Sequence, residues 1–196
     1  MNDGSGAGAS GDAVRDAAGG DLWVFGYGSL MWRPGFAYAE AAVARLGGFH
    51  RSLCILSHVH RGTPECPGLV LGLDRGGSCV GRAFRVPAAE RPQTVDYLRA
   101  REQATMVYRE RLLRLRLGAG ATVQALVYVA DRAHGQYAGV LSADEQLRLI
   151  RQGRGISGPN GDYVLSTVAA LEDLGIRDRR LHWLAGRLAE TDAAAA

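Results

Sequence analysis

The sequence predicts an α+β domain built on a mixed or barrel-like β-sheet, and three observations carry that reading. Strand signals dominate the first half of the chain, helical periodicity is confined to two later segments, and strands mostly precede helices. A doubly wound parallel sheet would need strict alternation of the two.

Residues 1–20 are largely Gly, Ala, Ser and Asp with little to bury, so a flexible N-terminal tail is expected there. Residues 21–190 read as a single domain and 191–196 as a frayed end. The first strand opens the domain as "LWVFGYG" from Leu22, and further strands are expected at Leu53 to His60, Leu69 to Leu73 and Cys79 to Val86, with Gly and Pro between them. In "RLLRLRLGAGATVQALVYVA", Leu113, Leu115 and Leu117 alternate with Arg114 and Arg116 before a Gly-Ala-Gly turn and a second apolar run. That pattern is a hairpin with one wet face. One helix is expected from Pro92 to about Glu102, with Val95 and Leu98 on one face. Another is expected after "SGPN", where Val164, Val168, Leu171 and Leu174 keep helical spacing and Pro159 and Asn160 mark the start.

The chain has 196 residues, 47% of them hydrophobic and 22% charged, which suits one globular domain with a real core. Its formal net charge is +3, and all 23 basic residues are arginine. They are scattered and form no stripe interleaved with aromatics, so nucleic acid is not an expected partner. No run of about 18 apolar residues is present to span a membrane. The N-terminus lacks the basic and apolar regions of a secretory signal, so a cytoplasmic location is expected, with no membrane partner. Cys54, Cys66 and Cys79 are odd in number and lack C-x-x-C spacing, which argues for reduced thiols and against a disulfide framework or zinc site.

The stretch "WVFGYGSLMW" interrupts a buried strand with Gly26, Gly28 and Ser29. A dinucleotide fingerprint would need glycine at Met31, a nucleophile elbow would need glycines at Tyr27 and Met31, and a Walker loop would need a lysine. Two readings remain: a loop whose backbone N–H groups face an anion, or a bulge at a sheet corner. On the first helix, Val95, Leu98 and Glu102 are spaced i, i+3, i+7, so the carboxylate shares the apolar face. It is then either a desolvated general base or the partner of Arg99 or Arg101 in an ion pair. His58 and His60 share one strand face, but no third ligand stands near them in sequence, so no metal is expected. Acid–base chemistry without metal or covalent intermediate is the chemistry these residues support.

Together, "VFGYGSLMW", "HRGTPECPG", Glu102 followed six residues later by Tyr108, "ALVYVAD", Tyr137 and "SGPNGDYV" occur in an order that resembles the ChaC-type gamma-glutamylcyclotransferases, over roughly Leu22 to Leu184. The resemblance implies a gamma-glutamylcyclotransferase-like mixed β-barrel flanked by helices, and a cofactor-free enzyme that cleaves glutathione to 5-oxoproline and Cys-Gly. It places the substrate-binding loop on Tyr27, Gly28, Ser29 and Leu30 and the catalytic glutamate on Glu102, with Arg61 and Tyr137 as further substrate-binding residues. Related sequences often carry glycine between the glutamate and the following tyrosine, whereas "EQATMVY" has none. A cyclotransferase for another gamma-glutamyl amine, a non-catalytic regulator linked to cation transport, and a monomer or weak dimer all remain open at this point.

Overall fold

The computed structural model describes Val14 and residues 20–194, with side chains described as far as residue 190. Strands β1 (Leu22–Gly26), β2 (Glu40–Ser57), β3 (Gly68–Val86), β4 (Tyr108–Leu117) and β5 (Thr122–Ala130) close into a barrel in the order β1-β3-β2-β4-β5. Neighbours are antiparallel except β1 and β5, which run parallel through Trp23 opposite Ala125 and Val24 opposite Leu126. The barrel is therefore mixed, as the sequence implied. Helix α1 (Arg91–Glu102) follows β3, and α2 (Ala143–Gln152), α3 (Asn160–Glu172) and α4 (Arg179–Ala194) follow β5. A two-stranded ribbon, β6 (Arg154–Gly155) with β7 (Gly158–Pro159), leads into α3.

Two expectations about strands are corrected. Strand β2 runs from Glu40 to Ser57, so it begins well before Leu53 and ends before His58 and His60, which lie in a bend and share no strand face, and the strands expected at 69–73 and 79–86 are one. The two form a single bent hairpin whose ladder runs from Glu40 opposite Arg85 to Ser57 opposite Gly68. Gly48, Gly76 and Gly77 all have positive φ and sit where the register shifts near Phe49 and Arg75. Glycines that read as strand breaks are bulges inside a continuous ladder, because the partner strand supplies the pairing that local propensity withholds.

The continuous apolar run of β1 is explained by burial on both faces. Phe25 joins Leu46, Leu53, Leu71, Leu115 and Val127 in a core that also packs Leu147 and Ile150 of α2, Val164 and Leu171 of α3, and Leu184 of α4. On the other face, Leu22 and Val24 meet Val95 and Leu98 of α1, with Leu30, Leu126 and Tyr128. Val14 belongs to this second cluster, and its carbonyl accepts from Arg91 Nε at 2.8 Å. The rest of the expected tail, residues 1–13 and 15–19, lies outside the described residues. Apolar spacing missed α2 and α4. Helix α2 nevertheless carries a local start signal, since Ser142 Oγ accepts from the Glu145 N–H at 3.2 Å in an S-x-x-E pattern.

One feature of the barrel positions the functional site. Strand β3 pairs with β1 only from Arg82 to Val86, so the outward-facing backbone groups of Leu69 and Leu71 have no strand beside them. Buried backbone polar groups must be paired, and here side chains replace the missing strand. Asn160 accepts from the Leu69 N–H at 2.5 Å and returns a hydrogen bond from Nδ2 to the Leu69 carbonyl at 2.9 Å. The Tyr163 hydroxyl accepts from the Leu71 N–H at 3.2 Å, while the Tyr108 hydroxyl donates to the Leu71 carbonyl at 2.7 Å. Asn160 and Tyr163 stand at i and i+3 on α3 and so share the face turned to β3.

Asn160 is fully buried, and Asn160→Ala strands two backbone groups of Leu69. At about 1–3 kcal/mol for each unsatisfied group, the urea midpoint should fall well below the wild-type value with the slope unchanged. A midpoint within experimental error of wild type would show that the edge of β3 is satisfied another way.

A candidate active site at the open edge of the barrel

A cavity of about 500 Å³ opens beside this edge, and its walls include Ser29, Arg61, Arg101, Glu102, Tyr108 and Tyr163. Three of the residues singled out from the sequence are thus brought together: Ser29, Arg61 and Glu102. Glu102 is the last residue of α1, and the helix face that buries Val95 and Leu98 completely also delivers its carboxyl to the cavity wall. That side chain is 16% exposed, and burial pushes its pKa above the ordinary carboxylate value, against the opposing pull of Arg101. Both readings of Glu102 therefore hold at once: it is desolvated, and its Oε1 lies 3.1 Å from Arg101 Nε. Arg99 turns instead to Glu110.

Arg101 is the connecting group of the site. Beyond Glu102, its Nη2 donates to Ser29 Oγ at 2.9 Å, and its Nη1 donates to the Arg33 carbonyl at 2.7 Å and the Tyr97 hydroxyl at 2.8 Å. One guanidinium thereby fixes the end of α1 against the loop that follows β1.

In that loop the strand gives way to a 3₁₀ turn at Ser29–Met31, closed by the Met31 N–H on the Gly28 carbonyl at 2.9 Å. The Tyr27 ring is buried in the barrel core, and Leu30 packs in the α1 cluster. Ser29 is left as the side chain of the 27–30 loop on the cavity wall. A Cβ on Gly28 would stand 3.0 Å from the Tyr163 hydroxyl and 3.7 Å from Leu71. The glycine lets the loop backbone approach Tyr163 and β3, so its close approach is to the protein.

Arg61 is held by its own N–H on Ser57 Oγ at 2.9 Å and by Nη1 on the Pro159 carbonyl at 2.8 Å, with the guanidinium 5.8 Å from the Tyr163 ring centre. Tyr137 stands elsewhere. It bridges to Ile55, and its hydroxyl donates to Asp74 at 2.8 Å, while Arg132 donates to the same carboxylate. Burial works against that carboxylate, but the hydrogen bonds from Arg132 and Tyr137 outweigh it and hold the Asp74 pKa at about 2. Gln136, next to Tyr137, is the residue of that segment on the cavity wall. His60 also lines the cavity, with Nδ1 3.0 Å from Ser157 Oγ. Among the described residues no three of His, Cys, Asp and Glu group as metal ligands would.

Sequence reasoning missed Arg101 as an organiser, and it left Tyr108 and Tyr163 without roles. Their only local signal was membership in recurring motifs, because their partner, Leu71, is remote in sequence. The turn from Glu102 to Tyr108 contains no glycine, and the structure shows the consequence: Met106 adopts a left-handed conformation at φ +59°, which costs a non-glycine residue energy. The raised pKa of Glu102 also has a thermodynamic cost. Folding disfavours its ionised form, so the wild type loses stability as pH rises through the folded pKa and keeps it in full below the ordinary value. Glu102→Gln should therefore raise the melting temperature at pH 8, with the gain shrinking toward pH 4. A pH-independent difference would contradict a desolvated carboxylate.

Known proteins share this architecture and sequence. The profile of the ChaC-like protein family matches residues 22–190. The glutathione-specific gamma-glutamylcyclotransferase of Escherichia coli K12 is 36% identical over 163 residues, covering 83% of this chain and 71% of its own. The glutathione-specific gamma-glutamylcyclotransferase 1 of Homo sapiens is 34% identical over 148 residues, covering 74% of this chain and 67% of its own. A solved structure of a yeast gamma-glutamyl cyclotransferase specific to glutathione superposes with a TM-score of 0.80 over 88% of this chain and 97% of that one. At 22% identity that likeness shows a common fold. With a sequence match running from the first strand of the barrel into its last helix, this chain belongs to the ChaC-like protein family.

Proposed function

We propose that the chain is a glutathione-specific gamma-glutamylcyclotransferase that releases 5-oxoproline and Cys-Gly, with Glu102 as its general base and acid. The observation that carries this reading is the buried Glu102 carboxyl on the wall of a cavity that also presents Ser29, Arg61 and Arg101. Relatives named for the same activity support the choice of substrate.

The chemistry asks little beyond orientation and proton transfer. The glutamyl α-amine is tethered to the γ-carbonyl at the distance of a five-membered ring, so a correctly folded substrate reacts with the high effective molarity of an intramolecular process. At neutral pH that amine is an ammonium and must lose two protons to become a lactam N–H. The departing cysteinyl nitrogen must gain two to leave as an ammonium. No water is consumed, and the proton count balances when one carboxylate carries both. Glu102 accepts from the α-nitrogen, delivers to the cysteinyl nitrogen as the C–N bond breaks, and repeats the transfer. Its raised pKa brings it closer to the groups with which it exchanges protons.

The ends of the substrate differ in charge from the middle. Glutathione carries a carboxylate at each end, and Arg61 on the cavity wall is the cation suited to the glycyl end. The backbone of the Tyr27–Leu30 loop suits the glutamyl end, since the first amides of a helical turn lack intrahelical acceptors. Tyr137 was also expected to bind substrate; in this reading it acts through the segment that carries Gln136.

Purified protein incubated with reduced glutathione and no added metal should yield 5-oxoproline and Cys-Gly in equal amounts, and Glu102→Gln should yield neither. Cleavage of other gamma-glutamyl amides in preference to glutathione would move the substrate assignment, and full activity of Glu102→Gln would remove the base. Because Glu102 must be ionised to accept the first proton, the rate should fall on the acid side with an apparent pKa above the ordinary glutamate value of about 4.3. A flat profile down to pH 4 would contradict a buried base.

A further inference from the structure

We propose that Tyr163 is a second catalytic group, whose hydroxyl donates a hydrogen bond to the oxyanion formed when the α-amine attacks the γ-carbonyl. The inference rests on the cyclotransferase reading above and adds a residue to it.

A hydroxyl can accept and donate at the same time, and the two roles of Tyr163 are separated here. Its oxygen accepts from the Leu71 N–H at 3.2 Å, which fixes the ring and directs the hydroxyl proton away from β3. Among the described residues that proton makes no hydrogen bond. Tyr108 provides the contrast, because its proton is committed to the Leu71 carbonyl at 2.7 Å. Tyr163 is only 7% exposed, yet it lines the cavity, so its proton is shielded from bulk water and accessible to a bound molecule.

Position supports the same role. The hydroxyl lies at the loop after β1, 3.0 Å from where a Cβ on Gly28 would stand, so a side chain at that position would crowd the phenol. Glu102 is close enough that its charge acts on the phenol, and burial together with that charge holds the Tyr163 pKa above the ordinary tyrosine value. The group therefore stays protonated across the working range of a carboxylate base. The Thr167 hydroxyl on the Tyr163 carbonyl at 2.7 Å and the Trp32 ring, centred 5.9 Å away, hold the residue in place. A donor fixed before the reaction, in a site with little water, is the arrangement that stabilises developing negative charge best.

In the step itself, the amine lone pair forms the new C–N bond, and the π pair of the carbonyl moves onto its oxygen. Tyr163 donates to that oxygen without giving up its proton. When the oxygen pair re-forms the carbonyl, the bond to the cysteinyl nitrogen breaks, and Glu102 protonates the leaving nitrogen.

Steady-state kinetics of Tyr163→Phe with glutathione provide the test. The expected result is a fall in kcat on the order of 10²-fold with KM within about twofold of wild type, and an acid limb at the wild-type position. A kcat equal to wild type, or a loss carried entirely by KM, would overturn the proposal while leaving the cyclotransferase reading intact. A wild type that releases neither product would overturn both. Since Tyr163→Phe also deprives the Leu71 N–H of its acceptor, a second variant replaces Tyr163 with 3,5-difluorotyrosine, which keeps the acceptor oxygen and lowers the phenol pKa. The basic limb of kcat should then move to lower pH, because the phenolate has no proton to donate. An unmoved basic limb would show that Tyr163 serves the fold alone.

Discussion

The unpaired edge of β3 governs the rest of this structure. A barrel of five strands satisfies its backbone wherever neighbours run side by side, but β1 leaves β3 at Arg82, and Leu69 and Leu71 face outward without a partner strand. Exposed to water, those groups would cost nothing, but there would be no enclosed cavity. Covered by an apolar helix, they would cost several hydrogen bonds. The chain covers them with Asn160, Tyr163 and Tyr108, so that a gap in the sheet becomes a wall with polar groups at fixed places. A site built on such a wall inherits the rigidity of the barrel.

Glu102 lines the same cavity, and its placement follows from helix geometry. A helix that packs Val95 and Leu98 into a core has its next position on that face in its last turn, where the core ends and the cavity begins. Putting a carboxylate there keeps it out of bulk water, and Arg101 offsets part of the desolvation while also holding Ser29. One arginine therefore connects the buried carboxyl at the end of α1 with the loop that follows β1. The burial that raises the Glu102 pKa is the same burial that costs stability when the carboxyl is ionised.

The legibility of the site in the sequence follows this division. Glu102 was readable because helical spacing is local: three residues within eight positions declare a face. The loop after β1 was readable because glycines interrupt an apolar run, although the reason for Gly28 is the Tyr163 hydroxyl, 135 positions away in sequence. The mixed barrel flanked by helices was legible from its strand-rich first half and from family resemblance. The length of β2 and β3 was not, since an Ala- and Gly-rich segment such as Glu40 to Ser52 becomes a strand only when a partner pairs with it. Helix α2 was written plainly in its Ser142–Glu145 start, while Tyr108 and Tyr163 had no local signature because hydrogen bonds to a distant strand leave no periodicity.

Asn160 illustrates what a single polar side chain does when its partners are backbone groups, since it satisfies both groups of Leu69 without a matching side chain elsewhere. The edge of β3 has a further consequence during synthesis. Leu71 leaves the ribosome 92 residues before Tyr163, and β1 cannot close against β5 until Ala125 has been made. Throughout that interval the nascent hairpin of β2 and β3 presents a bare strand edge, the kind of surface that pairs with another chain. The residues that complete the cavity wall are thus also those that end the exposure of this strand edge to pairing with another chain.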